Sequence, residues 1–202
     1  MPQPRRPRPE VPSSTELRTP FLETARLRLL DRTPDDLEFL ISLYADPQVM
    51  RWIGDGSIYG RREVEARYER IDAMQRDPAH PRWDGFKIVT RRADGERIGQ
   101  AGLLRCEVDD LPQVEIGWWL APSAWGRGYA TEAALALRDY AFATLQLRRL
   151  TVILHAENRA SIAVARRIGA VPAGTASYRG QRVTRYFVHA EPGATARDRA
   201  AS

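Results

Sequence analysis

A single cysteine, Cys106, and three histidines are all the thiol and imidazole ligands that the 202 residues contain. One thiol cannot form an intrachain disulfide, and one thiol with three imidazoles gives no cluster at metal-ligand spacing. Disulfide-stapled and zinc-stapled architectures are therefore excluded, no metal is expected, and a reducing compartment fits. Cys106 also lacks the surroundings of a nucleophile, because it lies in an apolar stretch with no activating histidine beside it. Long hydrophobic runs are missing as well. Nothing approaches the roughly 18 consecutive apolar residues of a membrane span, and the arginine-rich start has no apolar stretch of the kind a signal peptide needs. A cytoplasmic protein with no membrane partner is the expectation. No Gly-Lys pair followed by Ser or Thr occurs, which excludes a P-loop.

The composition, 43% hydrophobic and 28% charged, is that of an ordinary globular protein. The formal net charge of +5 comes from arginines spread along the chain without interleaved aromatic residues. A solvated basic surface explains it, and nucleic acid is not expected as a partner. Prolines at positions 2, 4, 7, 9 and 12 among Arg, Ser and Glu predict a disordered arm over 1–19, and the Ala, Arg, Asp, Gly and Ser composition of 191–202 predicts a disordered tail. One folded domain over 20–190 remains.

Alternation of Leu27 and Leu29 with Arg26 and Arg28 predicts a first strand over 25–30. Thr33 can cap a helix with Pro34 at its first position and Asp36 reciprocating, and Leu37, Leu40, Ile41 and Tyr44 share one face until Asp46-Pro47 breaks the pattern. A second helix is predicted over 61–76. Strands at 86–90 and 98–104 flank the Asp94-Gly95 turn, and another runs over 114–120. A helix over 131–144, a strand over 150–154, a short helix capped by Asn158 and ended by Gly169, and a hairpin over 177–189 turning near Arg179-Gly180 complete the order. Such an order describes a mixed α/β fold, a mostly antiparallel central sheet with a splayed parallel pair and helices on both faces.

Gly126, Arg127, Gly128, Tyr129, Ala130 and Thr131 lie between a strong strand and a strong helix. Two glycines let backbone N–H groups open toward an anion at a helix N-terminus, and Arg127 adds a positive charge. On spacing alone a tight strand-to-helix turn explains the stretch better than a phosphate cradle does.

The segment Val114-Glu115-Ile116-Gly117-Trp118-Trp119-Leu120, followed by Trp125-Gly126-Arg127-Gly128-Tyr129-Ala130-Thr131-Glu132-Ala133, resembles the GNAT acetyltransferase superfamily, in particular its RimJ/RimL-like branch. Leu22 to Leu29, Asn158-Arg159-Ala160-Ser161 and Arg167-Ile168-Gly169-Ala170 resemble further segments of that branch, in the expected order over about 20–190. The resemblance implies an acetyl-CoA-dependent N-acetyltransferase that moves an acetyl group directly to a primary amine, either a protein N-terminus or a small molecule, in a ternary complex. It implies that amides from Gly126 to Thr131 hold the diphosphate of coenzyme A and that the pantetheine follows Trp118, Trp119 and Leu120. Asn158 would contact that arm, although helix capping alone also explains it. Glu115 is then the candidate base, with a surface glutamate paired to an arginine as the alternative. Ser161 is the candidate acid for the leaving thiolate, with a simple first-turn serine as the alternative. The chain departs from the common pattern at Ala165, where many relatives carry a tyrosine. A non-catalytic module that holds acyl-CoA as sensor or scaffold is the second reading. A homodimer is an assembly the resemblance also admits. His155, Trp52, Tyr59, Trp83 and Tyr178 are isolated residues better explained by core or rim positions, and the stretch between about Asp46 and Pro81 carries no readable acceptor signature.

Overall fold

The computed structural model describes residues 18–191. The expected arm and tail fall outside those residues except at their inner ends, where Arg18 is ion-paired to Asp36 at 3.0 Å. Eight strands form one sheet in the order β1-β2-β3-β4-β5-β6-β8-β7. They are β1 (Leu22–Glu23), β2 (Leu27–Leu30), β3 (Gly85–Arg91), β4 (Arg97–Val108), β5 (Leu111–Leu120), β6 (Arg149–Leu154), β7 (Val171–Tyr178) and β8 (Gln181–His189). Every neighbouring pair is antiparallel except β5 and β6, which run parallel.

Five α-helices cover the sheet: α1 (Leu37–Ala45), α2 (Pro47–Met50), α3 (Arg61–Arg76), α4 (Tyr129–Ala143) and α5 (Arg159–Arg167). Helices α4 and α5 press Ala133, Ala134, Leu137, Val164 and Ala165 onto one face, against strand residues such as Leu29, Ile116, Leu150 and Val152. On the opposite face α1 and α3 bury Leu40, Tyr44, Val64 and Tyr68 around Ile88, with Trp119 packed alongside. The expected layering is present, each helix burying an apolar stripe on the sheet.

Three local differences from the sequence reading have physical causes. Asp46-Pro47 restarts a helix instead of only ending one, because the Asp46 carboxylate accepts from the Gln48 N–H at 2.8 Å and Pro47 takes the first helical position. Strands β4 and β5 extend beyond 98–104 and 114–120 into a hairpin whose tip, Asp109 and Asp110, takes positive φ values of 51° and 58°. Asp109 is anchored there by the Ser177 N–H at 2.8 Å and by Arg185 at 2.9 Å. Strand β7 begins at Val171, six residues before the expected hairpin, and its register shifts between Pro172 and Thr175, where Gly174 interrupts the alternation by which a strand is recognised.

Candidate active site

The parallel pair is joined at one rung, Glu115 opposite Thr151. On the N-terminal side of that rung the seam is stitched by the Gln113 side-chain oxygen, which accepts from Thr151 Oγ1 at 3.0 Å and from Arg149 at 3.1 Å. Toward the carboxyl ends no pairing follows, and a cavity of about 870 Å³ opens with residues 115–120 along one wall and 152–155 along the other. A gap at the carboxyl ends of parallel strands is where ligands sit in open α/β sheets.

One end of the cavity is the start of α4. Strand β5 ends at Leu120, a 3-10 turn follows over Pro122–Ala124, and Gly126 and Gly128 take left-handed φ values of 73° and 79° before the helix begins at Tyr129. An L side chain pays for that conformation, whereas glycine adopts it freely. Gly128 offers no side-chain cap, and the first backbone bond of the helix runs from the Glu132 N–H to the Gly128 carbonyl. The N–H groups of Tyr129, Ala130 and Thr131 therefore have no acceptor within the helix. Gly126, Gly128, Tyr129, Ala130 and Thr131 all line the cavity.

The loop is held in place from outside. Trp125, half exposed, donates its indole N–H to the Leu120 carbonyl at 2.8 Å. The Glu132 carboxylate accepts from Thr24 Oγ1 at 2.6 Å and from the Arg26 backbone N–H at 2.9 Å, and it pairs with the Arg26 guanidinium at 2.6 Å. Burial works to raise the Glu132 pKa, but the donors from Thr24 and Arg26 prevail and hold it below the ordinary carboxylate range. Arg26 also donates to the Arg127 carbonyl at 3.0 Å and lies over the Tyr129 ring at 4.7 Å. The cation beside the loop amides is consequently Arg26, while the side chain of Arg127 is exposed and does not contribute to the lining. Sequence reading passed over Arg26 because it looks like the outward residue of a strand.

Alternation along β5 sends Ile116 and Leu120 into the α4 side of the core and leaves Glu115, Gly117 and Trp119 on the face that carries Phe86 and Tyr44. A Cβ at Gly117 would stand 3.0 Å from the Phe86 ring, so a larger residue beside Glu115 would displace that ring. Glu115 is half-buried and faces the cavity. It is not an arginine-paired surface residue: its carboxylate accepts from the Tyr178 phenol at 3.0 Å. Burial pushes its pKa above the ordinary carboxylate value, against the smaller opposing effects of the Tyr178 hydrogen bond and the Arg179 charge. Burial and the Glu115 charge push the Tyr178 phenol well above its usual range, so it stays a proton donor. Tyr178, singled out in the sequence only as an isolated aromatic, is thus part of the Glu115 site. The nearby Cys106 thiol is pushed up to about 12, first by burial and then by Glu115, which leaves it protonated and unreactive.

Ser161 lines the cavity from the first turn of α5. Asn158 lines it too, and its Oδ1 caps the helix by accepting from the Ser161 N–H at 3.1 Å. Trp118, Trp119 and Leu120 form the β5 wall. Ala165 is fully buried in the core, remote from any acid role. His155 and Trp52 lie on the rim with their rings 5.8 Å apart. Tyr59 instead stacks on Tyr44, and Trp83 packs against the main core. Among the described residues no group of three or more His, Cys, Asp or Glu side chains is placed to hold a metal ion, and no helix is long and apolar enough to cross a membrane.

Residues 26–171 match the family model described as an acetyltransferase (GNAT) domain. The chain belongs to the GNAT acetyltransferase family. YnaD of Bacillus subtilis (strain 168), an uncharacterized N-acetyltransferase, is 40% identical over 148 residues, covering 73% of this chain and 81% of its own length. The acetyltransferase from Agrobacterium tumefaciens str. C58 superposes with a TM-score of 0.68 at 30% identity, over 91% of this chain and 100% of that one. The fold is also that of RimL, a ribosomal L7/L12 alpha-N-protein acetyltransferase solved with coenzyme A, at a TM-score of 0.64 and 18% identity over 82% of this chain and 95% of that one. This GNAT protein is an N-acetyltransferase, and the reading of it as a module that only holds acyl-CoA is set aside.

Proposed function

We propose that acetyl-CoA enters at the α4 N-terminus, lies along β5, and presents its thioester to a primary amine held on the Glu115 face, with transfer occurring directly in a ternary complex. The observation that carries this reading is the continuity of one cavity from the amides of Gly128 to Thr131, through the gap between β5 and β6, to Glu115. The residues present suit the donor. Orphan N–H groups at a helix start, with no Cβ in the way at Gly126 or Gly128, favour a diphosphate, and Arg26 supplies a charge beside them. Bound acetyl-CoA supplies an activated acetyl group; everything else falls to the chain.

Glu115 accepts a proton from the incoming ammonium, directly or through one water, and its raised pKa brings it nearer to the operating pH than an ordinary carboxylate. Tyr178 holds that carboxylate in place through its 3.0 Å hydrogen bond. Ser161, on the opposite wall, is the donor available to the departing thiolate. With Cys106 kept protonated, no acyl-enzyme is required. Both substrates then belong to the cytoplasm, and the acceptor is an amine presented as a small molecule or as a protein N-terminus.

The test is release of coenzyme A thiol, read with a chromogenic disulfide, across a panel of amines and peptides, with mass spectrometry of the products. Turnover is expected with at least one amine and with no acetylated enzyme along the way. Tight coenzyme A binding without acetylation of any acceptor would end this reading.

A further inference from the structure

The Glu115 face of the cavity holds more positive charge than its one carboxylate requires. Arg179, at the β7–β8 turn, lies over the Tyr178 ring at 5.1 Å and adds to the field that favours ionised Glu115. Arg67, from α3, lines the same cavity and has no such role. Its Nε is buried without an acceptor among the described residues, and its guanidinium lies 5.7 Å from the Tyr44 ring, where it also acts on the phenol oxygen, a neutral partner that gives it no counter-charge. Of the acids on the neighbouring helices, Glu38 and Glu65 pair with Arg61, and Asp72 pairs with Arg76 while its charge also favours Arg32; none is paired with Arg67. Behind Arg67 stands Arg32, close enough for the two charges to oppose each other, and its Nε is likewise buried without an acceptor. Trp119, which also lines this end and packs beside Tyr44, has an indole N–H in the same condition.

Buried donors are almost always satisfied, and a cation without a counter-charge is costly in a partly dry site. The Nε groups of Arg67 and Arg32 and the Trp119 indole N–H, grouped near Tyr44, find no acceptor among the described residues, and of the two arginines it is Arg67 that lines the cavity and can donate to an anionic group on a ligand. Arginine presents a planar fork that matches a carboxylate in two bonds. Resting on the acetyl-transfer reading above, we propose that the acceptor amine carries a carboxylate close to it, bound by Arg67 beside Trp119 while the amine reaches Glu115. An acceptor with a second positive charge, such as a polyamine, would instead meet two arginines on this face.

Matched acceptors test the proposal on the wild-type protein. Free α-, β- and γ-amino acids are compared with their decarboxylated amines, and peptides with Asp or Glu at the second position with their Asn or Gln counterparts. We expect the carboxylate-bearing member of at least one set to have a kcat/KM higher by about tenfold or more, expressed mainly in KM, the scale of one charge-assisted contact. The set that responds separates a free amino acid from an acidic N-terminus. In Arg67→Met that ratio should fall to about one, and in Arg67→Lys much of it should survive. Equal or better turnover of uncharged or polycationic amines by the wild type, or a ratio untouched in Arg67→Met, would overturn the proposal. Failure to acetylate any amine despite calorimetric binding of acetyl-CoA would remove the catalytic reading itself, and the proposal with it.

Discussion

The Tyr178 phenol donates to the Glu115 carboxylate at 3.0 Å, across the gap between the last hairpin and the strand that borders the cavity. Burial raises the pKa of the glutamate and the tyrosine moderates that rise, so the bond tunes the base as well as positioning it. In Tyr178→Phe the moderating donor is gone, and the Glu115 pKa should climb further. The rising limb of kcat/KM against pH should therefore move to higher pH than in the wild type, which a pH–rate profile measures directly.

Replacing the base separates chemistry from stability. Glu115→Gln should lower kcat by roughly a hundredfold or more, the usual contribution of a positioned general base. Its stability should change in the other direction. A carboxyl whose folded pKa lies above its unfolded value loses stability as pH rises from the unfolded value through the folded one. Wild-type protein should thus be less stable at pH 8 than the variant, and denaturant titrations at pH 5 and pH 8 compare the two.

At the other end of the cavity, Gly126→Ala forces a side chain into a φ of 73° although the space around a Cβ there is open. The backbone strain should cost about 1 kcal/mol of stability, and the retracted amides should raise KM for acetyl-CoA more than they lower kcat. Arg127→Ala, which alters an exposed side chain outside the cavity lining, should change that KM less than Arg26→Ala does. Steady-state kinetics on the three variants distinguishes these outcomes.

Much of this was legible because periodicity and capping are local. The predicted helix over 61–76 is α3, and Asp94-Gly95 does turn β3 into β4, with Gly95 at φ 70°. Spacing alone reads Gly126 to Thr131 as a tight strand-to-helix turn, which is what the backbone shows, and only the resemblance of the flanking segments points to a phosphate cradle there. What stayed hidden was non-local. Nothing beside Arg26 in the sequence announces Glu132, and nothing in α3 marks Arg67 as different from its neighbouring arginines. Burial and long-range partners separate such residues, and both exist only after folding. Tyr178 stood as a lone aromatic for the same reason, its partner Glu115 lying 63 residues away.

Asp36 tests the scaffold beneath the site. It is fully buried and paired with Arg18 at 3.0 Å and Arg97 at 2.7 Å. Burial opposes its ionisation, but those two arginines and the Thr33 N–H prevail and hold its pKa below the ordinary carboxylate range. A depressed folded pKa adds stability above the unfolded value, near pH 4, that disappears as pH falls through the folded one. Asp36→Asn should cost about 3 kcal/mol at pH 7, because it strands two guanidinium groups, and its deficit should shrink on acidification. Chemical denaturation at pH 7 and pH 3 measures both effects.

The sheet is fastened across its middle by a single backbone rung, Glu115 to Thr151, and the Gln113 side-chain bridges beside it, so it is built as two ladders joined at one point. Backbone bonding carries almost no load between them; the weld is the apolar layer under α4 and α5, where Ile116 of one ladder meets Leu150 and Val152 of the other. Thinning that layer would loosen the angle between the ladders while leaving each of them whole. The width of the slot that admits the substrates is thereby tied to the volume of side chains such as Ile116 and Val152, which belong to that layer and also line the cavity.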